Sequence, residues 1–173
     1  LELIRLTQEF TWHRRTPTIK VYVDSDFAGC QRTRKSTSGG AITWGGNTIK
    51  TWSKTQTVVA LSTGEAELAA LVKGSTEALG LKSVLLDFGL EVGITISSDA
   101  SAAIGMVMRE GLGRVRHLAV ADLWVQEKRD RGEITYEKIN GSSNPADMLT
   151  KGVDSEKIRR YVQALGFKPR HGR

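Results

Sequence analysis

The change of periodicity at Ser62 limits what this chain can fold into. Before it, Ile19-Lys20-Val21-Tyr22-Val23-Asp24-Ser25-Asp26 alternates with period two. Ile19, Val21 and Val23 share one face and Tyr22, Asp24 and Asp26 the other, the pattern of a strand that ends in acid. Gly39 to Trp44 and Thr48 to Ser53 read as two further strands joined through Gly45-Gly46-Asn47, residue types that tolerate positive φ in a hairpin. At Ser62-Thr63-Gly64-Glu65 the pattern becomes that of a capping box, in which the Ser hydroxyl and the Glu carboxylate satisfy amides at a helix start. The helix it opens should run to about Phe88, with Gly89 as its stop and Gly74 and Gly80 weakening it internally.

Strand and helix then alternate. Val92 to Ser98 returns to strand and ends at Asp99; Ala100 to Arg109 and Leu118 to Arg131 read as helices, broken apart at Gly111 and Gly113. Glu133 to Ile139 is the last strand of the sheet, and the loop Asn140 to Asn144 leads into a short helix with Asn144 as cap and Pro145 in the first position. Ser155 to Leu165 is an amphipathic helix before a basic tail of Lys168, Arg170, His171 and Arg173. Strands alternating with helices predict a mixed α/β sheet with helices on its faces.

At 173 residues with 39% hydrophobic content, the chain is long enough to bury a two-layer core as one domain over residues 1–173. Its only cysteine, Cys30, rules out an internal disulfide framework, predicts a thiol that packs rather than reacts, and points to a reducing compartment. A formal charge of +6 favours a polyanionic partner, though a solvated basic surface accounts for it equally well. No apolar run approaches the roughly 20 residues that a bilayer crossing needs, so no membrane association is expected. Leu1 as the first residue suggests a fragment of something longer.

Asp24 and Asp99 each follow an apolar strand, and adjacent strands would bring both to the edge where open α/β sheets place their ligands. Glu67 shares a helical face with Ala70, Leu71, Gly74, Ala78, Leu81 and Leu85, which turns a carboxylate toward the sheet. An unpaired buried carboxylate is prohibitive, so a metal ion is an economical partner. Glu65, on the face of Leu68, Ala69, Val72 and Leu79, has nearly the same claim, and periodicity does not choose between the two. Asp147, in the first turn after Asn144-Pro145, is better explained from its spacing by support of the helix dipole than by catalysis.

Five ordered blocks carry a resemblance: Val23-Asp24-Ser25-Asp26-Phe27-Ala28-Gly29-Cys30, Arg34-Lys35-Ser36-Thr37-Ser38-Gly39, Leu61-Ser62-Thr63-Gly64-Glu65-Ala66-Glu67-Leu68, Ser98-Asp99-Ala100-Ser101-Ala102-Ala103-Ile104 and Ala146-Asp147-Met148-Leu149-Thr150-Lys151. Together they resemble the ribonuclease H domain of copia-type LTR retrotransposon Pol polyproteins, over a core of about residues 19–151. The resemblance implies a ribonuclease H-like fold with a five-stranded mixed sheet in order 3-2-1-4-5, and carries the catalytic, metal-binding acids onto Asp24, Glu67, Asp99 and Asp147. It favours Asp24 over Asp26 and Glu67 over Glu65. Arg116-His117 matches a basic-His pair of the group, and His117 is read as structural. Two departures stand out: the loop Asn140 to Asn144 lacks the His that cellular ribonucleases H often carry there, and Ala100 stands where relatives commonly have Asn.

The implied activity is endonucleolytic hydrolysis of the RNA strand of RNA–DNA hybrids during reverse transcription, leaving a 5′-phosphate and a 3′-hydroxyl. Two Mg²⁺ ions, or Mn²⁺ in their place, are the implied cofactors. In the implied arrangement Asp24 bridges both ions, Asp99 and Asp147 hold the one on the nucleophile side, and Glu67 completes the other. Ser62, Thr63, Gly64 and Ser101 are expected to touch the hybrid, and Arg32, Arg34 and Lys35 either to meet its phosphates or to form a solvated basic loop. Trp44, Trp52, Trp124 and Trp12 are read as packing residues rather than base-stacking platforms. A covalently linked reverse transcriptase domain and an intracellular setting, in a cytoplasmic particle or the nucleus, complete the expectation. Its rivals are a host-adopted domain that binds nucleic acid without turnover, and another nuclease of the same fold such as an integrase or junction resolvase.

Overall fold

A computed structural model of the chain describes residues 6–10, 17–111 and 119–169. In chain order its elements are β1 (Leu6–Gln8), β2 (Thr18–Ser25), β3 (Thr37–Trp44), β4 (Asn47–Thr55), α1 (Thr63–Asp87), β5 (Gly93–Ser98), α2 (Ser101–Met108), α3 (Ala119–Asp130) and β6 (Thr135–Lys138), then α4 (Ser155–Ala164) and β7 (Phe167–Pro169). Two 3₁₀ turns, Gly141–Ser143 and Pro145–Leu149, lie between β6 and α4. The main sheet runs β4-β3-β2-β5-β6, which is 3-2-1-4-5 when its five strands are counted among themselves. β2 pairs antiparallel with β3 and parallel with β5, so β2 and β5 end at the same edge of the sheet.

Alternation along β2 is realised as predicted. Ile19, Val21 and Val23 are fully buried, while Lys20 and Tyr22 lie partly exposed on the other face, where Lys20 Nζ is 3.2 Å from Glu137 of β6. The buried face meets α1, whose Leu68, Ala70, Leu71 and Ala78 join the same core. Gly74 is the point of closest approach: a Cβ there would lie 2.5 Å from Val23 Cγ1. The glycine that weakens the helix by propensity is therefore what lets it seat on β2. Trp44, Trp52 and Trp124 pack against this core as read; Trp52 lies over Gly40, its partner across the β3–β4 ladder. Trp12 and the Arg116-His117 pair lie outside the described residues.

Three turn regions differ in kind from expectation. The hairpin turn is Gly45-Gly46 alone, both at positive φ, because Asn47 already pairs with Trp44. The loop after Asn140 closes a 3₁₀ turn in which the Asn140 side chain accepts from the Ser142 amide. The predicted short helix at Pro145 is a 3₁₀ turn whose Asn144 cap accepts from Ala146. At the chain ends, β1 and β7 pair antiparallel, Leu6 opposite Pro169, so Lys168 lies in a strand rather than in a free tail. Cys30 sits partly exposed in the β2–β3 loop, not in the core, and a hydrogen bond with Thr33 lowers its thiol pKa. None of the described helices is long and apolar enough to cross a membrane.

Candidate active site

Four acids reach one edge of the sheet from four separate elements. Asp24 lies next to last in β2 and is 3% exposed. Asp99 follows directly on β5. Glu67 stands in the second turn of α1, and Asp147 in the Pro145–Leu149 turn, 8% exposed. The Asp147 turn can lie on the sheet because Gly39, opposite Asp24 in β3, has no side chain. A Cβ there would lie 2.6 Å from Thr150 Cγ2 and 2.9 Å from Leu149 Cβ.

Neutral groups orient these acids. The Asn144 amide donates to Asp99 Oδ1 at 3.1 Å and to the Val23 carbonyl at 2.9 Å, stitching the β5 acid to the strand that carries Asp24. The Thr150 hydroxyl donates to Asp24 Oδ2. Tyr161 of α4, 1% exposed, donates to the Gly141 carbonyl and to Asp147 Oδ2. Gly141 lies so close to Asp99 that a Cβ would come within 2.7 Å of its Oδ2. Gln56 links the layers behind the site, its amide reaching Ser25, Ser38 and the Ala66 carbonyl. Among the described residues the one cationic contact is Lys151, whose Nζ lies 2.6 Å from Asp147 Oδ1 and 3.9 Å from Asp24 Oδ2. Asp147 is also the main reason the Lys151 pKa is raised.

The two glutamates that periodicity leaves equivalent have different environments. Glu65 Oε2 accepts from the Leu61 amide at 2.7 Å while the Glu65 amide donates to Ser62 Oγ, so this carboxylate completes the predicted capping box, reaching one residue further back than the cap itself. Glu67 caps nothing, although a backbone hydrogen bond from Ser25 reaches its carboxylate. Its Oε2 is buried without a hydrogen-bond partner. Burial, reinforced by the charges of Asp24 and Asp99, pushes the Glu67 carboxyl up to about 8. Burial also raises Asp24, with Asp99 and Asp147 adding to the effect and Thr150 and Lys151 opposing it. Burial first and mutual repulsion second thus leave a cluster of acids whose charge the surrounding groups only partly compensate. Asp26, in contrast, accepts from the Thr37 amide and pins the β2–β3 loop.

Glu67 and Asp99 face a groove of about 320 Å³ lined also by Thr63, Gly64, Ala100, Ser101 and Ala102. Of the expected hybrid contacts, Thr63, Gly64 and Ser101 thus lie beside the acids. Ser62 is engaged as the α1 cap, and Arg32, Arg34 and Lys35 lie in the β2–β3 loop, outside the groove lining. Ala100 gives α2 no side-chain cap. Asn144 as an orienter, Thr150, Lys151 and Tyr161 are site residues that pattern reading did not single out; the Thr150-Lys151 pair was visible only as part of a family block.

All donors in the set are hard oxygens, and the orphaned Glu67 oxygen fits a divalent cation. Among the described residues, however, no three acidic, His or Cys side chains converge tightly enough to chelate an ion as they stand.

A β4-β3-β2-β5-β6 sheet crossed by α1, with acids gathered at the β2/β5 edge, defines the chain as a ribonuclease H-fold domain. Solved structures agree. A ribonuclease H1 isolated from compost aligns with TM-score 0.61 and 19% identity over 84% of this chain and 99% of its own. The N-terminal RNase H domain of a Mycobacterium tuberculosis protein, solved as a fusion with maltose binding protein, gives 0.58 and 14% over 85% and 97%. RNase H1 from Halobacterium salinarum gives 0.56 and 16% over 77% and 94%.

Sequence relatives narrow the class. The retrovirus-related Pol polyprotein from transposon TNT 1-94 of Nicotiana tabacum is 36% identical over 153 residues, covering 87% of this chain and 12% of the relative. That from transposon RE1 of Arabidopsis thaliana is 23% identical over 154 residues, 87% of this chain and 10% of the relative. No protein-family model matches the chain. The chain has the ribonuclease H fold and is similar to a stretch of copia-type retrotransposon Pol polyproteins, and it spans about a tenth of the length of the curated relatives it matches.

Proposed function

We propose that this domain hydrolyses the RNA strand of RNA–DNA hybrids with divalent metal ions held by Asp24, Glu67, Asp99 and Asp147. The observation that carries the reading is the gathering of these acids at one sheet edge with Glu67 Oε2 buried and unpartnered. Divalent ions, when bound, would supply activation of water and stabilisation of the leaving oxygen at phosphorus. The protein's own part is positional. Asn144 and Thr150 fix the orientation of Asp99 and Asp24, and Tyr161 supports Asp147. Thr63, Gly64 and Ser101 line the groove in which the RNA strand would lie, where contacts to the 2′-hydroxyl would distinguish RNA from DNA.

A related ribonuclease H1, TM-score 0.57 and 18% identical, has been solved in complex with an RNA/DNA hybrid, which supports this substrate class. Metal-dependent turnover, the endonucleolytic 5′-phosphate and 3′-hydroxyl products, and a linked reverse transcriptase domain in the parent polyprotein belong to the same proposal. The alternative, a nucleic-acid-binding module without turnover, draws support from the ion pair between Lys151 and Asp147, which ties up one of the acids.

One assay separates the two. With a labelled RNA–DNA hybrid and Mg²⁺, the domain should cut only the RNA strand, and Asp24→Asn and Asp99→Asn should each lower the rate by about 10² or more, as losses of charge stabilisation at developing oxyanions do. Absence of a metal-dependent cut would overturn turnover and leave the binding module, and equal cutting by the variants would overturn the assignment of these acids.

A further inference from the structure

Asp24 and Asp147 come from elements far apart in the chain, yet a single ammonium spans them. Lys151 Nζ lies 2.6 Å from Asp147 Oδ1 and 3.9 Å from Asp24 Oδ2, while among the described residues the other side chains bonded to these two acids, Thr150 and Tyr161, are neutral. The lysine follows the Pro145–Leu149 turn, four residues after Asp147, and 54% of its side chain is exposed. It is thus a flexible arm anchored outside the site with its charged end inside.

A divalent ion shared by Asp24 and Asp147 would compete for the charge of the two carboxylates that this ammonium now contacts. Two cations a few ångströms apart at a partly dehydrated edge repel strongly. We propose that Lys151 is a tethered counter-cation: it holds the acidic edge together when divalent ions are absent and must swing out to admit them. This rests on the reading of the four acids as a metal site. A long, half-exposed side chain can leave toward water without disturbing the backbone, so the exchange needs no rearrangement of the fold.

The test is direct binding of Mn²⁺, read by calorimetry on the full chain without nucleic acid, for the wild type, Lys151→Met, Lys151→Gln, Lys151→Arg and Asp24→Asn. Removing the competing charge should tighten Mn²⁺ binding about two- to fivefold in the Met and Gln variants, the fold-change expected of a partly exposed ion pair. The same two variants should melt at lower temperature without metal and show a larger rise in Tm on adding Mn²⁺. Lys151→Arg should stay close to wild type. Unchanged or weaker binding in both neutral variants, with binding lost in Asp24→Asn, would overturn the role of Lys151 and leave the metal site standing. Failure of Mn²⁺ to bind the wild type, or undiminished binding to Asp24→Asn, would overturn the metal site and this inference together.

Discussion

Glu67 and Glu65 stand two positions apart on one helix and do different work. Glu65 satisfies the Leu61 amide; Glu67 keeps a buried oxygen without a partner beside two other acids. Burial first, then Asp24 and Asp99, lift the Glu67 pKa from 4.5 to about 8. A carboxyl raised in this way holds its proton more tightly in the folded than in the unfolded chain. Its stabilisation is full below the unfolded value and is lost as pH rises toward the folded one. Metal-free protein should therefore lose stability between pH 4.5 and about 8, and Glu67→Gln should flatten that fall by on the order of a few kcal/mol in denaturant unfolding. A wild-type profile that declines no more than that of the variant would contradict the assignment. Asp24 and Asp99 were legible in the sequence because each ends an apolar strand. The choice of Glu67 rested on family resemblance alone, since helical period places both glutamates against the body of the protein. The capping hydrogen bonds now separate them physically.

At the scale of elements, legibility follows local signals. The β3–β4 hairpin, α1 with its cap, and the strand–acid ends of β2 and β5 each announce themselves within a few residues. Pairing of β1 with β7 does not: three-residue strands at opposite ends of the chain carry no period to read. Contacts between the Asp147 turn and the sheet are equally silent in the sequence, because Thr150 meets Asp24 across 126 positions and Tyr161 reaches Asp147 only once α4 is docked. Gly39 is where that docking is decided. Adding a methyl in Gly39→Ala would drive it into Thr150, Leu149 and the Ala146 carbonyl, costing about 1–3 kcal/mol as overpacking does. It should also displace Asp147, so hybrid cleavage should fall further than the loss of stability accounts for. Urea unfolding and initial rates measured on the same preparation check both; unchanged rates would show that the turn does not need this close contact.

Across the whole molecule, the β4-β3-β2-β5-β6 order explains why acids 24, 67, 99 and 147, dispersed over most of the chain, share one edge. β2 and β5 run parallel side by side and end together; α1 crosses their buried face, and Asn144 ties the following turn back to β2. Topology of this kind is beyond pattern reading, which gives strands and helices but not their neighbours; here the five family blocks supplied the order that the fold shows. The surplus of +6 suits a polyanionic partner, although the basic β2–β3 loop lies outside the groove lining. Fold alone does not certify chemistry, and the four acids are what decides it. The most direct measurement is the anomalous difference density of a crystal soaked in Mn²⁺. The account predicts ions bound among Asp24, Glu67, Asp99 and Asp147, with the Lys151 ammonium withdrawn from Asp147. Ions bound elsewhere, or none at a saturating concentration with Lys151 still paired, would contradict it.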